Sequence, residues 1–269
     1  MQLNSDLFPP LRPLYAVLER ELLRMLRQRT RLIAAMVRPL IWLLVIGGGF
    51  AAIVGGDYRS FLVPGVLGMT MLFGAMLAAL GTVYDKESGV MRMMLVAPMA
   101  RAWLVVAKLI SAAAAAAVQA FLLLVLLALL GYVGSGTAWG LLAAAIAATS
   151  FTCAGIGMLT ASFSRTLENF AGIMNFVIFP VFFLSGSLYP VRELPPVLYW
   201  AATLNPYTYG VDLLKHALLV GRPTADFSVA LDLAVLVAAT AASAAVASWR
   251  FSRESAYEPM IHVPAGRAR

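Results

Sequence analysis

Two histidines, one cysteine and 13 carboxylates are the residues of this 269-residue chain whose types could do bond chemistry. Catalysis needs several such groups gathered at one depth, a base beside a nucleophile or a set of ligands around a metal. The spacing here offers no such gathering. His216 and His262 fall in two different segments outside the apolar runs, Cys153 stands alone within one, and no two carboxylates are paired inside one. A single cysteine excludes an intrachain disulfide and a cysteine-based metal site, and reads as a small core residue. The lone His216 reads as an interfacial side chain. No GxxxxGK[ST] phosphate loop occurs, so the chain does not bind ATP in the usual way. Catalytic, cofactor-binding and metal-binding residues are therefore left unassigned, and no cofactor is called for.

Composition then states where such a chain must live. Hydrophobic residues make up 61% and charged residues only 12%, about half the charge of an ordinary soluble domain. So little polar material cannot cover a globule of this size, and lipid has to solvate the rest; disorder is excluded by the same balance. The formal net charge of +7 could suit a nucleic-acid binder. Its basic residues instead sit at the ends of long apolar runs, where anionic headgroups attract them, so membrane lipid is the expected partner and nucleic acid is not. The first apolar run follows about thirty residues holding six arginines, too long and polar a start for a cleavable signal peptide.

A helix needs about twenty apolar residues to cross the hydrocarbon core. Spans are expected near 39–56 (starting by Met36), 60–84, 104–131, 138–162, 170–188 and 228–248. Between Lys108 and Arg165 no charge occurs in 56 positions, more than twice the length a bilayer requires. That run must be a hairpin, turning at Gly131–Gly136. The segments before span one, between two and three, between four and five, and after six hold fourteen Lys and Arg; the opposite segments hold four, Arg59, Arg192, Lys215 and Arg222. The positive-inside rule then places both termini in the cytoplasm. Arg38 and Lys108 are expected to snorkel from the cytoplasmic ends of their spans, and Asp232 to sit at the outer interface.

Three segments outside the spans carry the rest of the information. Residues 10–31 place Leu14, Val17, Leu18, Leu22, Met25 and Leu26 on one helical face with arginines elsewhere, an amphipathic helix lying in the headgroups. Residues 84–102 contain a short apolar stretch, Val90–Val96, between Gly89 and Pro98; too short to span, it exposes Met and Leu that suit a protein partner. Residues 189–227 read as two short amphipathic helices, Pro195–Leu204 and Pro206–Val220, with Pro in the first turn and Gly221 as the closing cap. Tyr199, Trp200, Tyr207 and Tyr209 favour folding back into the outer leaflet.

Two of these stretches carry a family resemblance. "YDKESGVMRMMLVAPMARAWLVVAKL" and "FFLSGSLYPVRELPPVLYWAATLNPYTYGVDLLK", in that order among six spans, resemble the ABC-2 family of ATP-binding-cassette exporter permeases, which includes drug, polysaccharide and nodulation-factor exporters. The likeness covers nearly the whole chain. It implies an all-α integral membrane fold of six transmembrane helices, with an N-terminal amphipathic interfacial helix and two short re-entrant outer helices between spans five and six. The implied divisions are a cytoplasmic N-terminus over 1–31, the transmembrane domain over 32–249 and a cytoplasmic tail over 250–269. Glu87, Gly89, Val90, Met91, Met94, Leu95 and Pro98 would seat in the ATPase subunit. Pro190, Asn205, Pro206, Tyr207, Tyr209 and Asp212 would belong to the re-entrant region that closes the exit. Lys215 stands where the family often has Arg.

The implied function is the permease subunit of an exporter in the bacterial inner membrane. Its partners would be a separate ABC ATPase and a second permease copy, identical or not. A secondary transporter driven by an ion gradient would show internal repeats and broken helices with midplane charges, and a membrane-embedded enzyme would show a cluster of catalytic groups. Neither pattern is present in the residues. A path with few charges favours an amphipathic or lipid-linked cargo.

Overall fold

The computed structural model describes residues 15, 18–20, 23, 37–54, 58–91, 101–221 and 224–257. Among them every regular element is a helix. α1 covers 37–54 and includes a π-helical stretch, Trp42–Ile46. α2 is Tyr58–Glu87, α3 Arg101–Leu129, α4 Trp139–Phe163 and α5 Leu167–Phe183. A 3₁₀ turn, Val191–Glu193, precedes the short helices α6, Pro196–Leu204, and α7, Pro206–Leu218; α8 runs over Val229–Tyr257. Stretches of α2, α3, α4 and α8 are long and apolar enough to cross a membrane, while α1 and α5 are shorter apolar helices.

The hairpin inside the uncharged run forms where glycine permits it. Gly131 has φ +78°, a left-handed conformation that closes α3: its N–H donates to the Ala128 carbonyl at 3.0 Å and Tyr132 N–H to the Leu127 carbonyl at 2.9 Å. These two bonds satisfy carbonyls that the helix end would orphan. α5 stops earlier than its apolar run, at Phe183. Ser185 and Gly186, the latter at φ +73°, turn the chain there, and the Ser185 hydroxyl donates to the Phe182 carbonyl at 2.6 Å. The α6 and α7 helices occupy the positions expected for them, and Gly221 at φ +80° follows α7. The amphipathic segment 10–31 and the stretch 92–100 lie largely outside the described residues; Tyr15, residues 18–20 and Leu23 are helical.

α4 is the centre of the bundle, touching α2, α3, α7 and α8. Its inward residues are small, including Ala145, Cys153, Ala154, Gly155, Gly157 and Ala161. With lipid on the outside, helices gain little hydrophobic drive toward each other, so close backbone approach and dispersion hold the bundle. A methyl group at Gly68 would stand 2.6 Å from the Tyr207 hydroxyl, and one at Gly210 would stand 2.7 Å from the Thr149 methyl. These two positions set the α2–α7 and α4–α7 contacts. Large apolar side chains point outward instead, with Phe176, Leu129 and Val237 among the most exposed, a surface that acyl chains solvate and water would not.

Gly68→Ala and Gly210→Ala are each expected to destabilise the protein by about 1–3 kcal/mol, the range for overpacking a filled interior. Gly172→Ala, where an added methyl meets nothing within 4 Å, should be neutral. Thermal unfolding in detergent, followed by tryptophan fluorescence, compares the three variants.

Candidate functional site: charged clamps at the two ends of α2

At its C-terminal end α2 carries three consecutive charged residues, and each one holds a different neighbour. Asp85 is buried, and its Oδ2 accepts from Lys108 Nζ of α3 and from Arg20 Nη2 at 2.8 Å. Lys86 Nζ donates to the carbonyls of Ala161 at 3.2 Å, Ser162 at 3.3 Å and Ser164 at 3.1 Å. Those carbonyls lie at the end of α4, where a cation is favoured by the helix dipole. Glu87 Oε2 accepts the Leu167 N–H at 2.9 Å, placing an anion at the start of α5 beside its Thr166 cap. Asp85, Lys86 and Glu87 therefore gather α3, α4, α5 and the N-terminal segment onto one turn of α2.

Ser88 and Gly89 follow, with φ +78° at the glycine, and lead into the stretch singled out as a docking loop. Val90 is part-buried and Met91 is buried in an apolar pocket with Leu104, Val105, Met158 and Phe251. Met91 thus anchors the loop to the bundle rather than standing on its surface. Met94, Leu95 and Pro98 lie outside the described residues. One expectation is corrected here: Lys108 does not snorkel. Its side chain is only 4% exposed, and the buried Asp85 carboxylate holds it inside, because two charges removed from water are tolerable only when paired. Arg38 lies with its guanidinium 4.1 Å above the Phe73 ring.

The other end of α2 lies against a second polar assembly, about 36 Å away between Phe61 and Asp85 at 1.5 Å per residue. Asn205 separates α6 from α7. Its Oδ1 accepts the Tyr207 N–H at 3.1 Å, capping α7, while its Nδ2 donates to the Val181 carbonyl in the last turn of α5 at 2.7 Å. Asparagine suits this position because one amide both accepts and donates. Pro206 occupies the first turn, where its missing N–H is not needed. The Thr208 hydroxyl donates to Ala202 O at 2.7 Å and Tyr209 OH to Thr203 O at 2.9 Å, folding α7 back on α6. Pro190 leads into the 3₁₀ turn in extended backbone.

Asp212 and Asp226 complete this assembly. Asp212 accepts the N–H groups of Asp226 at 2.7 Å and Phe227 at 2.9 Å. Asp226 in turn accepts from Val191 N at 3.2 Å and Arg192 N at 3.3 Å, and pairs with Lys215 at 3.4 Å and Arg192 at 3.6 Å. Lys215 is almost completely buried and also lies 5.4 Å from the Phe61 ring of α2. Burial pushes the Asp212 carboxyl above its ordinary value, while the two N–H donors and Lys215 pull it back. Asp232 was expected at an interface. Its side chain is wholly buried, because α7 and the 226–228 turn cover the first turn of α8.

Asn205, Pro206, Tyr207, Tyr209 and Asp212, expected at the re-entrant region, fall together on α7 and its cap; of the residues expected at the docking loop, Glu87 belongs to the clamp and Gly89, Val90 and Met91 follow it. Sequence reasoning missed Asp85, Lys86, Lys108, Asp226 and Asp232 as structural partners. The run of three alternating charges at the end of a long apolar helix was the available signal for the first two.

Neither end gathers a nucleophile, base and oxyanion donors around a cleft among the described residues. What the geometry defines is a helical, multi-pass membrane protein whose charged groups join helices to one another. The family profile of ABC-2 type transporters matches residues 12–219, and the chain belongs to this family. It is similar to Nodulation protein J of Rhizobium leguminosarum bv. trifolii, 28% identical over 204 residues, covering 72% of this chain and 76% of that protein. It is also similar to the putative transport permease ycf38 of Porphyra purpurea, 25% identical over 211 residues, covering 75% of this chain and 72% of that protein. Permease-type relatives and family membership identify a membrane transport permease, a component of transport rather than an enzyme.

Asp85→Asn withdraws the charge opposite the buried Lys108 and is expected to destabilise by about 3–5 kcal/mol. The double replacement Asp85→Leu/Lys108→Met removes both charges and should recover much of that loss. Asn205→Ala should lower stability by about 0.5–2 kcal/mol through the lost cap. Unfolding midpoints in detergent measure all three.

Proposed function

We propose that this chain is the transmembrane subunit of an ABC exporter, with six spans, both termini in the cytoplasm of a bacterial cell and a path formed with a second permease copy. α1 and α5 supply the two further crossings. At 17 residues, α5 is about 25 Å long, slightly under the hydrocarbon thickness of about 30 Å, and the turn after Phe183 carries its peptide chain onward. α6 and α7 form the re-entrant outer pair. Residues 1–31 form the cytoplasmic N-terminus with its interfacial helix, 32–249 the transmembrane domain and 250–269 the cytoplasmic tail, although α8 itself continues to Tyr257.

A separate ABC ATPase supplies the energy, and family membership is the ground for that partner. The observation that carries the coupling proposal is the clamp at Asp85, Lys86 and Glu87. A loop that docks into an ATPase has to transmit its displacement to several helices together. Here the residues leading into that loop already hold α3, α4, α5 and Arg20 on one turn of α2. Met94, Leu95 and Pro98 provide the docking face, and Glu87, Gly89, Val90 and Met91 provide its attachment. ATP-driven closure of the ATPase pair then biases the permeases between inward-open and outward-open arrangements, which is a population shift and involves no bond chemistry in this chain. The low charge of the spans suits an amphipathic or lipid-linked cargo.

The test is reconstitution in proteoliposomes with and without the cognate ATPase. Transport is expected to require both the ATPase and ATP. Met94→Ser/Leu95→Ser should reduce transport per ATP hydrolysed by about tenfold or more, the equivalent of about 1.4 kcal/mol of coupling, while leaving the permease folded. Transport driven by an ion gradient in the absence of the ATPase would overturn the reading, as would unaltered assembly and transport in the double variant.

A further inference from the structure

We propose that Asp212, His216 and Asp232 form a binding site for one divalent transition-metal ion of the zinc class, joining α7 to the start of α8. Asp212 and His216 are four residues apart on α7 and share one helix face. Asp232 enters from the first turn of α8. The His216 Nε2 atom lies 3.8 Å from Asp212 Oδ2 and 4.0 Å from Asp232 Oδ2, and one donor atom from each residue falls within 4.8 Å of the other two. Ligand atoms held at about 2.0–2.2 Å from a zinc ion stand about 3–4 Å apart, so small side-chain adjustments close this set on one ion.

A second observation points to a ligand independently of that clustering. Asp232 is 0% exposed, and neither of its carboxylate oxygens has a hydrogen-bond partner. A buried carboxylate normally accepts several hydrogen bonds or faces a cation. The neighbouring charges do not provide one. Lys215 and Arg192 both turn to Asp226, and Asp212 is engaged by the N–H groups of Asp226 and Phe227. Of these three carboxylates, Asp226 takes both cations and Asp212 takes two N–H groups, so Asp232 alone among the three is left without a hydrogen bond, with His216 Nε2 4.0 Å away.

The donor set selects the ion. An imidazole with two carboxylates suits zinc and its first-row neighbours, whereas calcium and magnesium prefer all-oxygen cages. The Phe227 carbonyl oxygen lies 2.9 Å from His216 Nε2, a spacing also found between adjacent ligands on one ion. It offers a fourth ligand once the imidazole proton resides on Nδ1. The N–H donors of Asp226 and Phe227 orient the Asp212 carboxylate, as outer partners do in metal sites. The His216 side chain is 27% exposed, which provides a path of entry. Along the chain His216 has only Asp212 nearby, one turn away on α7; the packing of α8 against α7 brings the second carboxylate, Asp232, to it.

The test uses full-length permease with its ATPase, carrying a tag free of histidine, stripped with EDTA and titrated with Zn²⁺ by calorimetry. One ion per permease chain is expected. Co²⁺ in place of Zn²⁺ should develop visible absorption bands. Asp232→Asn and His216→Gln should each weaken binding by about tenfold or more, whereas His262→Gln should leave it unchanged. Saturating Zn²⁺ should also raise the unfolding midpoint of the wild type and protect His216 from diethylpyrocarbonate. Absence of binding and of protection in the folded wild type would overturn the proposal, as would binding unchanged in both ligand variants. If a variant does not fold, protection of His216 in the wild type decides alone. The titration reads no transport, so its failure removes the metal site and leaves the export proposal standing.

Discussion

Asp85 and Lys108 meet where neither can reach water, and the rest of the bundle is arranged around keeping them together. A carboxylate or an ammonium alone at such a place would cost several kcal/mol in lost hydration. Once both are buried, neither helix can slide or rotate without exposing one charge to an apolar neighbour. The pair therefore fixes the register of α2 against α3 more sharply than apolar packing does, since alanine and leucine surfaces accept small slips. Lys86 and Glu87 extend the same logic to α4 and α5 by engaging helix ends, whose free carbonyls and N–H groups carry partial charge. Four elements are thereby referenced to a single turn.

At the far end of α2 the same need is met by different means. Backbone groups of the 190s and of residues 226–227 have no helix to satisfy them, and unsatisfied peptide groups in a low-dielectric setting are expensive. Asp212 and Asp226 accept from them in sequence, and Asn205 joins the cap of α7 to a free carbonyl of α5. Glycines at 65 and 68 let this assembly sit directly on α2. α2 is thus held by charge at one end and by close packing at the other, a continuous link between Glu87 and the α6–α7 pair of the kind the export proposal requires.

Much of this was legible beforehand. Apolar run lengths placed α2, α3 and α4 within a few residues, although α8 runs on to Tyr257, well past its apolar run, and Pro, Asn and Gly signals placed α6 and α7 nearly to their ends. The sequence marks Lys108 and Asp232 only as single charges near span ends; Lys108 is held inside instead of snorkelling, and Asp232 is buried as well. Whether a charge near an interface reaches water depends on what covers it, and the covers here, α2 for Lys108 and α7 with the 226–228 turn for Asp232, come from elsewhere in the chain. Met91, by its local sequence a surface methionine, is covered in the same way, by Leu104, Val105, Met158 and Phe251.

The sequence by itself determined that the protein is helical and belongs in a membrane, where its turns fall and which family it joins. Those properties follow from local composition, periodicity and short motifs, which act over a few residues. The tertiary structure alone decided which charges face each other: Asp85 with Lys108 and Arg20, Lys86 with the end of α4, and His216 with Asp212 and Asp232. Electrostatic interactions in an apolar interior depend on distances of a few ångströms between groups far apart in the chain. No spacing along one helix encodes those distances; the packing of several helices does.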